Sequence, residues 1–209
     1  MPHDGLSEPL QLKAPEAAGL VLCGSIKRQL TKSWGTGLFA TDNIKSGAIV
    51  LKERPLMLPG KVESTIDTMF KLIKLVLDRS GERFIQSVPH KLEKEWQYSP
   101  LESAHKAFCP ELSREEAILY AYKFMRNAFT TENGPALLLT GQLFNHSCKP
   151  NLLFTYENGL MVFRTCCDVR QGEQLFDCYG QGRFNDRKGC KKHHEWLEQH
   201  YGFTCTCKC

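Results

Sequence analysis

Two short polar segments and a group of cysteines contain the residues of this chain that could do chemistry. The first segment, residues 145–151, reads Asn-His-Ser-Cys-Lys-Pro-Asn, and the second, residues 172–180, reads Gly-Glu-Gln-Leu-Phe-Asp-Cys-Tyr-Gly. Cys205, Cys207 and Cys209 follow. Amides, imidazoles and hydroxyls bind polar ligands, and closely spaced thiolates bind metal ions. The ten cysteines come without a recognisable secretory signal, so we expect reduced thiols and metal ligands rather than disulfides.

The composition excludes several classes of protein. A chain of 209 residues with 42% hydrophobic and 24% charged residues is typical of a globular domain, with at most a small appendage. No apolar run approaches the roughly 20 residues needed to cross a bilayer. The net charge of +4 is too small to indicate nucleic-acid binding. We therefore expect a cytoplasmic and/or nuclear protein with no membrane or direct nucleic-acid partner.

The apolar pattern predicts many short strands and a few helices, hence an α+β fold. Strands are predicted at residues 38–40, 49–51, 56–58, 137–139, 152–156, 160–164 and 174–176, with a hairpin turn at 157–159. Helices are predicted from Ile66 to a stop at Ser80-Gly81, from Ser113 to Phe129, and over about 187–200. Glu116 stands three residues after Ser113, the spacing of a capping box. The basic and imidazole residues of the last helix predict a solvated face: Arg187, Lys188, Lys191, Lys192, His193 and His194.

The order of these motifs resembles the SET domain of protein lysine methyltransferases, most closely that of the SET- and MYND-domain family, over about residues 24–209. The resemblance implies short β-sheets with a knot-like C-terminal segment, a helical insert and a cysteine-rich post-SET zinc site. It places the SET domain at 21–185, with its insert at about 61–130, and the post-SET segment at 186–209, whereas the prolines and glycines of residues 1–20 predict an irregular tail.

The resemblance also implies a site for S-adenosylmethionine. Asn145 and His146 match the pair that contacts this cofactor in the family, and Gly35-Thr36-Gly37 matches the entry strand, where glycine lets the backbone approach the ligand. Asn127 matches a further asparagine that touches the cofactor.

Two aromatic residues complete the implied site. Tyr179 matches the catalytic tyrosine, whose hydroxyl lies near the transferring methyl group and orients the lysine amine. Phe203 matches an aromatic residue that helps to form the lysine channel, and both rings are expected beside the cofactor. From the residues alone, the commoner fate of a tyrosine such as Tyr179 in an apolar strand is a core position with a satisfied hydroxyl, and Phe203 could simply pack beside a metal site.

A structural zinc is expected at Cys148, Cys205, Cys207 and Cys209, because four thiolates suit a closed tetrahedral site. Related SET domains use a C-x-C-x-x-C group, whereas the spacing here is C-x-C-x-C, one residue shorter. Alternate residues of an extended strand lie nearly 7 Å apart, and thiolates on one zinc lie within roughly 4 Å, so the chain must bend tightly here.

Three functions are compatible with these residues. The first is a protein-lysine N-methyltransferase acting on a histone tail or another protein that presents a lysine. The second is a catalytically weak SET module that serves as a zinc-stabilised interaction domain, which the shortened cysteine motif and the missing MYND finger and C-terminal helical domain favour. The third, a thiol hydrolase using Cys148 and His146, is disfavoured because a zinc-bound thiolate is not a free nucleophile.

Overall fold

The computed structural model describes residues 20–31, 35–85, 97–180 and 189–207. The described residues form two compact units, one drawn from Leu20–Arg54 and Thr140–Cys209 and the other from Pro55–Leu139. The described strands are β1 (Leu20–Cys23), β2 (Ile26–Leu30), β3 (Thr36–Ala40), β4 (Ile49–Glu53), β5 (Ala128–Thr131), β6 (Gly134–Leu137), β7 (Asn145–His146), β8 (Leu152–Glu157), β9 (Leu160–Thr165) and β10 (Gln174–Asp177). The described helices are α1 (Ile66–Ile85), α2 (Glu102–Phe108), α3 (Arg114–Asn127) and α4 (Gly189–Tyr201). This mixture confirms the predicted α+β class.

The first unit contains two four-stranded sheets, ordered β1-β4-β9-β8 and β2-β3-β10-β7. All the pairs are antiparallel except β10 with β7. Apolar side chains of these short strands are fully buried, among them Leu38, Leu51, Phe163 and Leu175. Burial of such side chains is the main stabilising contribution to a sheet of this size.

The parallel pair β7-β10 joins the two polar segments of the sequence. Asn145 lies opposite Phe176 and His146 opposite Asp177, and the Ser147 backbone N–H donates to the Asp177 carbonyl at 2.8 Å. A parallel pair requires a long crossover, which here includes the β8-β9 hairpin. The strand at 174–176 was predicted, but the strand at Asn145 was not, because two polar residues carry no apolar alternation.

The β8-β9 hairpin confirms the predicted turn at residues 157–159. Asn158 and Gly159 both have positive φ, 50° and 79°. Two consecutive left-handed residues define a type I′ turn, whose twist matches that of the flanking strands. Asn and Gly are the residues that tolerate this backbone best, so the sequence identifies the turn by itself.

The second unit is built on the two predicted central helices. Thr65 caps α1, because its Oγ1 accepts the Thr68 backbone N–H at 3.1 Å. Ser113 caps α3 in a complete capping box with Glu116, with bonds of 3.1 Å and 2.8 Å. Helix α1 continues to Ile85, past the predicted stop at Ser80-Gly81, so the glycine lies inside the helix.

Three apolar or irregular stretches of the second unit differ from the prediction. The strand predicted at 137–139 lies earlier, at Gly134–Leu137, where it pairs with β5. Residues 56–58 form only a single bridge, from Leu56 to Leu137. Helix α2, between Pro100 and Pro110, was not predicted at all. Leu137, Leu138 and Leu139 are all buried, and an apolar run of that length does not distinguish a strand from a buried loop.

A buried carboxylate fixes the chain immediately before β7. Glu53, at the end of β4, is 2% exposed, and its oxygens accept the backbone N–H groups of Thr140 (3.0 Å) and Gly141 (2.8 Å). These residues begin a 3-10 helix at Gly141–Leu143, whose unpaired N–H groups attract an anion. Glu53 therefore anchors the segment that leads to Asn145.

Glu53→Gln should lower the free energy of unfolding by about 1 to 3 kcal/mol, because it removes charge-assisted acceptors from buried N–H groups. Urea unfolding followed by circular dichroism measures the change. Glu157→Gln is the matched control, since its carboxylate pairs with Arg164 on the surface and should change stability by less than about 0.5 kcal/mol. Equal midpoints for the two variants would contradict the anchoring role.

Candidate functional site

The predicted glycine segment, at the start of β3, lies against Asn145 in β7. The Asn145 side-chain amide donates to the Thr36 carbonyl at 3.2 Å. A Cβ at Gly37 would lie 2.9 Å from Asn145 Nδ2 and 2.4 Å from Gln174 Nε2, closer than real Cβ atoms come. A side chain at Gly37 would therefore have to displace these two amide groups, whereas Gly35 adopts a positive φ of 66°. The structure brings Thr36, Gly37 and Asn145 together, and their contact with the cofactor stays a prediction.

Asn151, the last residue of the first polar segment, reinforces β10. Its Nδ2 donates to the Gln174 carbonyl at 2.9 Å, and its Oδ1 accepts the Phe176 backbone N–H at 2.8 Å. The side chain pairs with the backbone as a neighbouring strand would. It holds β10 in register at the point where the chain approaches Tyr179.

Tyr179 is held at three of its polar atoms. Its hydroxyl donates to the Phe144 carbonyl at 2.8 Å, its backbone N–H donates to His146 Nδ1 at 3.0 Å, and its carbonyl accepts from His193 Nε2 at 2.8 Å. Burial, with smaller contributions from Tyr201 and Asp177, raises the pKa of Tyr179 well above its usual value. The hydroxyl is therefore neutral at physiological pH, and it can orient a substrate but cannot serve as an ionised base.

Aromatic rings surround Tyr179. The Tyr201 ring centroid lies 4.7 Å from that of Tyr179, and Phe203 meets Tyr179 edge to face at 6.4 Å. Phe203 also lies 5.9 Å from the His146 ring. The structure thus brings Phe203 and also Tyr201 to Tyr179, and the part of Phe203 in a lysine channel stays a prediction. Tyr201 was not predicted, and its position two residues before Phe203 is the feature of the sequence that could have indicated it.

His146 lies with its ring between Tyr179 and the cysteines. The ring is buried, and its Nε2 is 3.3 Å from Cys148 Sγ. Burial, followed by the nearby charges of His193 and His194, lowers the pKa of His146 to about 4. The structure directs the His146 side chain to the cysteines, which leaves its backbone for the predicted cofactor contact. A contact through its backbone stays a prediction.

Three of the four predicted zinc ligands converge. Cys148 Sγ lies 3.6 Å from Cys205 Sγ, and the ligand atoms of His146, Cys148, Cys205 and Cys207 all lie within 4.8 Å of one another. The backbone N–H groups of Cys148 and Cys207 point at sulfurs, to Cys207 Sγ and Cys205 Sγ respectively, each at 3.4 Å. Cys209 lies outside the described residues and stays a prediction.

The donor set fits zinc. Thiolates on a tetrahedral zinc with bonds of about 2.3 Å lie roughly 3.7 Å apart, close to the observed separation of Cys148 and Cys205. The expected tight bend is present, because residues 203–207 form neither strand nor helix and the Cys207 N–H returns to the Cys205 sulfur. Zinc bound here would join the terminal segment to β7 through Cys148 and would keep the thiols deprotonated.

Helix α4 corrects the prediction of a fully solvated basic face. Lys191 and Lys192 are exposed as expected, but His193 is buried against Tyr179, and His194 Nε2 lies 3.5 Å from Cys148 Sγ. Arg187 and Lys188 lie outside the described residues. Histidine is compatible with a solvated or a buried face of a helix. The packing of α4 against Tyr179 and Cys148 is what places His193 and His194 on its inner face.

The remaining predicted cofactor residue, Asn127, lies in the other compact unit, at the end of α3. It is buried, and its Nδ2 donates to the Lys123 carbonyl at 2.8 Å, one helical turn earlier. Its contact with the cofactor stays a prediction.

The fold and the motifs define a SET domain, and a family comparison agrees: the SET domain model matches residues 35–180. The chain belongs to the SET-domain family. It is 29% identical over 202 residues to a SET domain-containing protein of Acanthamoeba polyphaga mimivirus, covering 88% of this chain and 76% of that protein. It is 32% identical over 93 residues to the human N-lysine methyltransferase SMYD2, covering 39% of this chain and 19% of the human protein.

Solved structures show the same fold. The SET domain of LSMT bound to lysine and AdoHcy matches with a TM-score of 0.60 at 13% identity, covering 90% of this chain and 54% of that chain. Rubisco LSMT bound to AdoMet matches with a TM-score of 0.60 at 12% identity, covering 87% of this chain and 52% of the other. The chain thus spans about half of these structures and about a fifth of SMYD2.

The described residues contain no helix that is both long and apolar enough to cross a membrane.

The cysteine group should bind about one zinc per chain, and chelation should loosen residues 200–207 before the sheets. Metal analysis of protein purified without chelator measures the stoichiometry, and hydrogen exchange with and without chelator locates the loosened segment. Cys207→Ser should lower the zinc content, whereas Cys166→Ser, at an exposed thiol outside the group, should leave it unchanged. Metal-free protein with a well-protected terminal segment would contradict the assignment.

Proposed function

We propose that this chain is an S-adenosylmethionine-dependent protein-lysine N-methyltransferase. The observation that carries the proposal is the position of Tyr179. Its neutral hydroxyl donates to the Phe144 carbonyl, and its ring lies beside those of Tyr201 and Phe203. It lies just after β10, the strand that pairs with Asn145 in β7. S-adenosylmethionine, when bound, would supply the methyl group from its sulfonium centre. The residues of the chain would orient the lysine amine, exclude water and hold the cofactor.

Tyr179 is suited to orient the amine. Its proton is engaged by the Phe144 carbonyl, so the oxygen lone pairs remain available to accept an N–H from the substrate. Hydrogen bonds to its backbone N–H and carbonyl fix the direction in which the ring projects. Fixing the nucleophile in line with the transferred group lowers the entropic cost of the reaction.

The aromatic residues are suited to desolvate the lysine. A lysine with a pKa of about 10.4 must lose its proton before it can attack, which costs roughly 4 to 5 kcal/mol at pH 7. Tyr179, Tyr201 and Phe203 offer apolar ring surfaces beside the hydroxyl. Burial of the ammonium among such surfaces lowers its pKa, and ring faces also attract a sulfonium or ammonium cation.

The glycine segment and Asn145 are suited to bind the cofactor. Gly37 has no side chain, and the amide groups of Asn145 and Gln174 pack directly against its backbone. The Gln174 Nε2 is buried without a hydrogen-bond partner among the described residues. A carboxylate or hydroxyl of a bound cofactor would satisfy such a donor.

The relatives support the same activity. SMYD2 is an N-lysine methyltransferase, and the LSMT structures contain AdoMet or AdoHcy and, in one case, lysine. We therefore infer a protein substrate that presents a lysine, a histone tail or another protein. The interpretation of residues 186–209 as a post-SET segment, a cytoplasmic or nuclear location and the lack of nucleic-acid binding belong to the same proposal.

Gly37→Ala should weaken S-adenosylmethionine binding by about ten- to a hundredfold, because the new Cβ displaces Asn145 and Gln174. Calorimetric titration measures the dissociation constant. Gly24→Ala is the matched control, since a Cβ there meets nothing within 4 Å. An unchanged constant for Gly37→Ala, with normal binding by the wild type, would place the cofactor elsewhere.

Tyr179→Phe should lower kcat on the order of a hundredfold and leave cofactor affinity within a few fold, because the hydroxyl acts chiefly in the transition state. Loss of its bond to Phe144 should cost about 1 kcal/mol of stability. Transfer of a labelled methyl group to histones and to cell lysate, measured well below the melting temperature, tests the rate.

Tyr156→Phe in β8 controls for the loss of a hydroxyl from a half-buried tyrosine and should retain full activity. Normal turnover by Tyr179→Phe with a lowered melting temperature would make Tyr179 a core residue. Absence of methyl transfer by the wild type, together with a zinc-dependent fold, would instead support the interaction module.

A further inference from the structure

The His146 ring makes two contacts that together determine where its proton lies. Its Nδ1 is 3.0 Å from the Tyr179 backbone nitrogen, and its Nε2 is 3.3 Å from Cys148 Sγ. The ring is 2% exposed, so water does not compete for either nitrogen. The contacts are on opposite sides of the ring, one toward the tyrosine and one toward the cysteine group.

The Tyr179 contact allows one proton arrangement. A backbone N–H can only donate, so Nδ1 must present its lone pair to it. The imidazolium and the tautomer with hydrogen on Nδ1 would each place two hydrogens face to face. The remaining form is the neutral ring with its hydrogen on Nε2, which is the nitrogen that faces Cys148.

This arrangement separates His146 from the metal ligands, although its position alone would allow it to be one. A nitrogen that carries a hydrogen has no lone pair to give to a metal. Its N–H can instead donate to the Cys148 sulfur, an acceptor that becomes stronger when it is a zinc-bound thiolate. Such donors beside a metal ligand tune and orient it.

We propose that His146 is a positioning residue that links the zinc ligand Cys148 to the backbone of Tyr179 and does not itself bind the zinc. Its significance for catalysis rests on the proposed function, whereas its proton arrangement and its exclusion from the zinc ligands do not. Cys148 orients the ring through Nε2–H, and the ring orients Tyr179 through Nδ1. Order in the metal site is thereby transmitted to the tyrosine.

A second histidine completes the support of Tyr179. His193 Nε2 donates to the Tyr179 carbonyl at 2.8 Å, and its ring meets that of His146 edge to face, with centroids 5.4 Å apart and an interplanar angle of 86°. The Tyr179 peptide groups are thus held between two imidazoles from β7 and α4. The His146 ring contacts Cys148 directly, whereas on α4 it is the neighbouring residue, His194, that approaches the same sulfur, at 3.5 Å.

Nuclear magnetic resonance of the full chain tests the proton arrangement without any activity assay. The wild type, labelled with nitrogen-15 in histidine and loaded with cadmium-113 in place of zinc, should show His146 protonated at Nε2 and unprotonated at Nδ1. Proximity to the Tyr179 amide proton assigns the ring without a variant. A scalar coupling between cadmium-113 and His146 Nε2, or a hydrogen on Nδ1, would overturn the proposal.

Two variants test the link itself. His146→Asn retains an acceptor near the position of Nδ1 but cannot reach Cys148, so it should keep one zinc while weakening its binding by about ten- to a hundredfold. Its cobalt(II) derivative should keep the absorption spectrum of the wild type, because no ligand is lost. His200→Asn, at an exposed histidine of α4, is the control and should change neither property.

The outcomes separate the two proposals. Loss of stoichiometric metal or a changed cobalt spectrum in folded His146→Asn would make His146 a ligand and refute the linking role. A lowered kcat at unchanged cofactor affinity in the same variant extends the link to catalysis. If the wild type transfers no methyl group, the proposed function fails, while the resonance and cobalt measurements still decide the role of His146.

Discussion

The candidate site depends on the parallel pairing of two residues of β7 with β10. This pairing sets Asn145 opposite Phe176 and His146 opposite Asp177. It also lets Tyr179 bond to Phe144, directly after the 3-10 helix, and to His146, whose ring contacts Cys148. A two-residue strand contributes few ladder bonds of its own. The Ser147 N–H and the Asn151 side chain extend the pairing, and Asn151 alone contributes two bonds to β10. Polar residues of segment 145–151 therefore stabilise the strand of segment 172–180.

Glycines permit this close arrangement at two places. Gly37 lets β3 lie against the side chains of Asn145 and Gln174, and Gly180 lets the chain after Tyr179 lie against Trp196, whose ring would be 2.7 Å from an added Cβ. Gly180 also has a positive φ of 74°, so two separate constraints select glycine there. These positions adjoin the predicted cofactor and catalytic residues, where an added side chain would separate elements that must touch.

Local patterns in the sequence predict the parts of this fold that local interactions determine. The capping box of Ser113 and Glu116 and the Asn158-Gly159 turn need only neighbouring residues, and both are confirmed. Helix α2 and the strand β7 have no such pattern, because tertiary contacts stabilise them. The same holds for the site. Motif order indicates Asn145, Tyr179 and the cysteines, but the buried positions of His193 and Tyr201 follow only from how α4 and the terminal segment dock.

The terminal segment illustrates how a metal can replace a hydrophobic core. Residues 203–207 belong to neither a sheet nor a helix, and Cys205 is the one residue among them that is fully buried. Ring contacts of Phe203 contribute on the order of 1 kcal/mol each, too little to order several residues that each lose about 1 to 2 kcal/mol of backbone entropy. Structural zinc sites supply apparent binding free energies of about 10 kcal/mol or more. Zinc on Cys148, Cys205 and Cys207 would therefore decide whether Phe203 stays beside Tyr179, and hence whether the aromatic surroundings of the hydroxyl are complete.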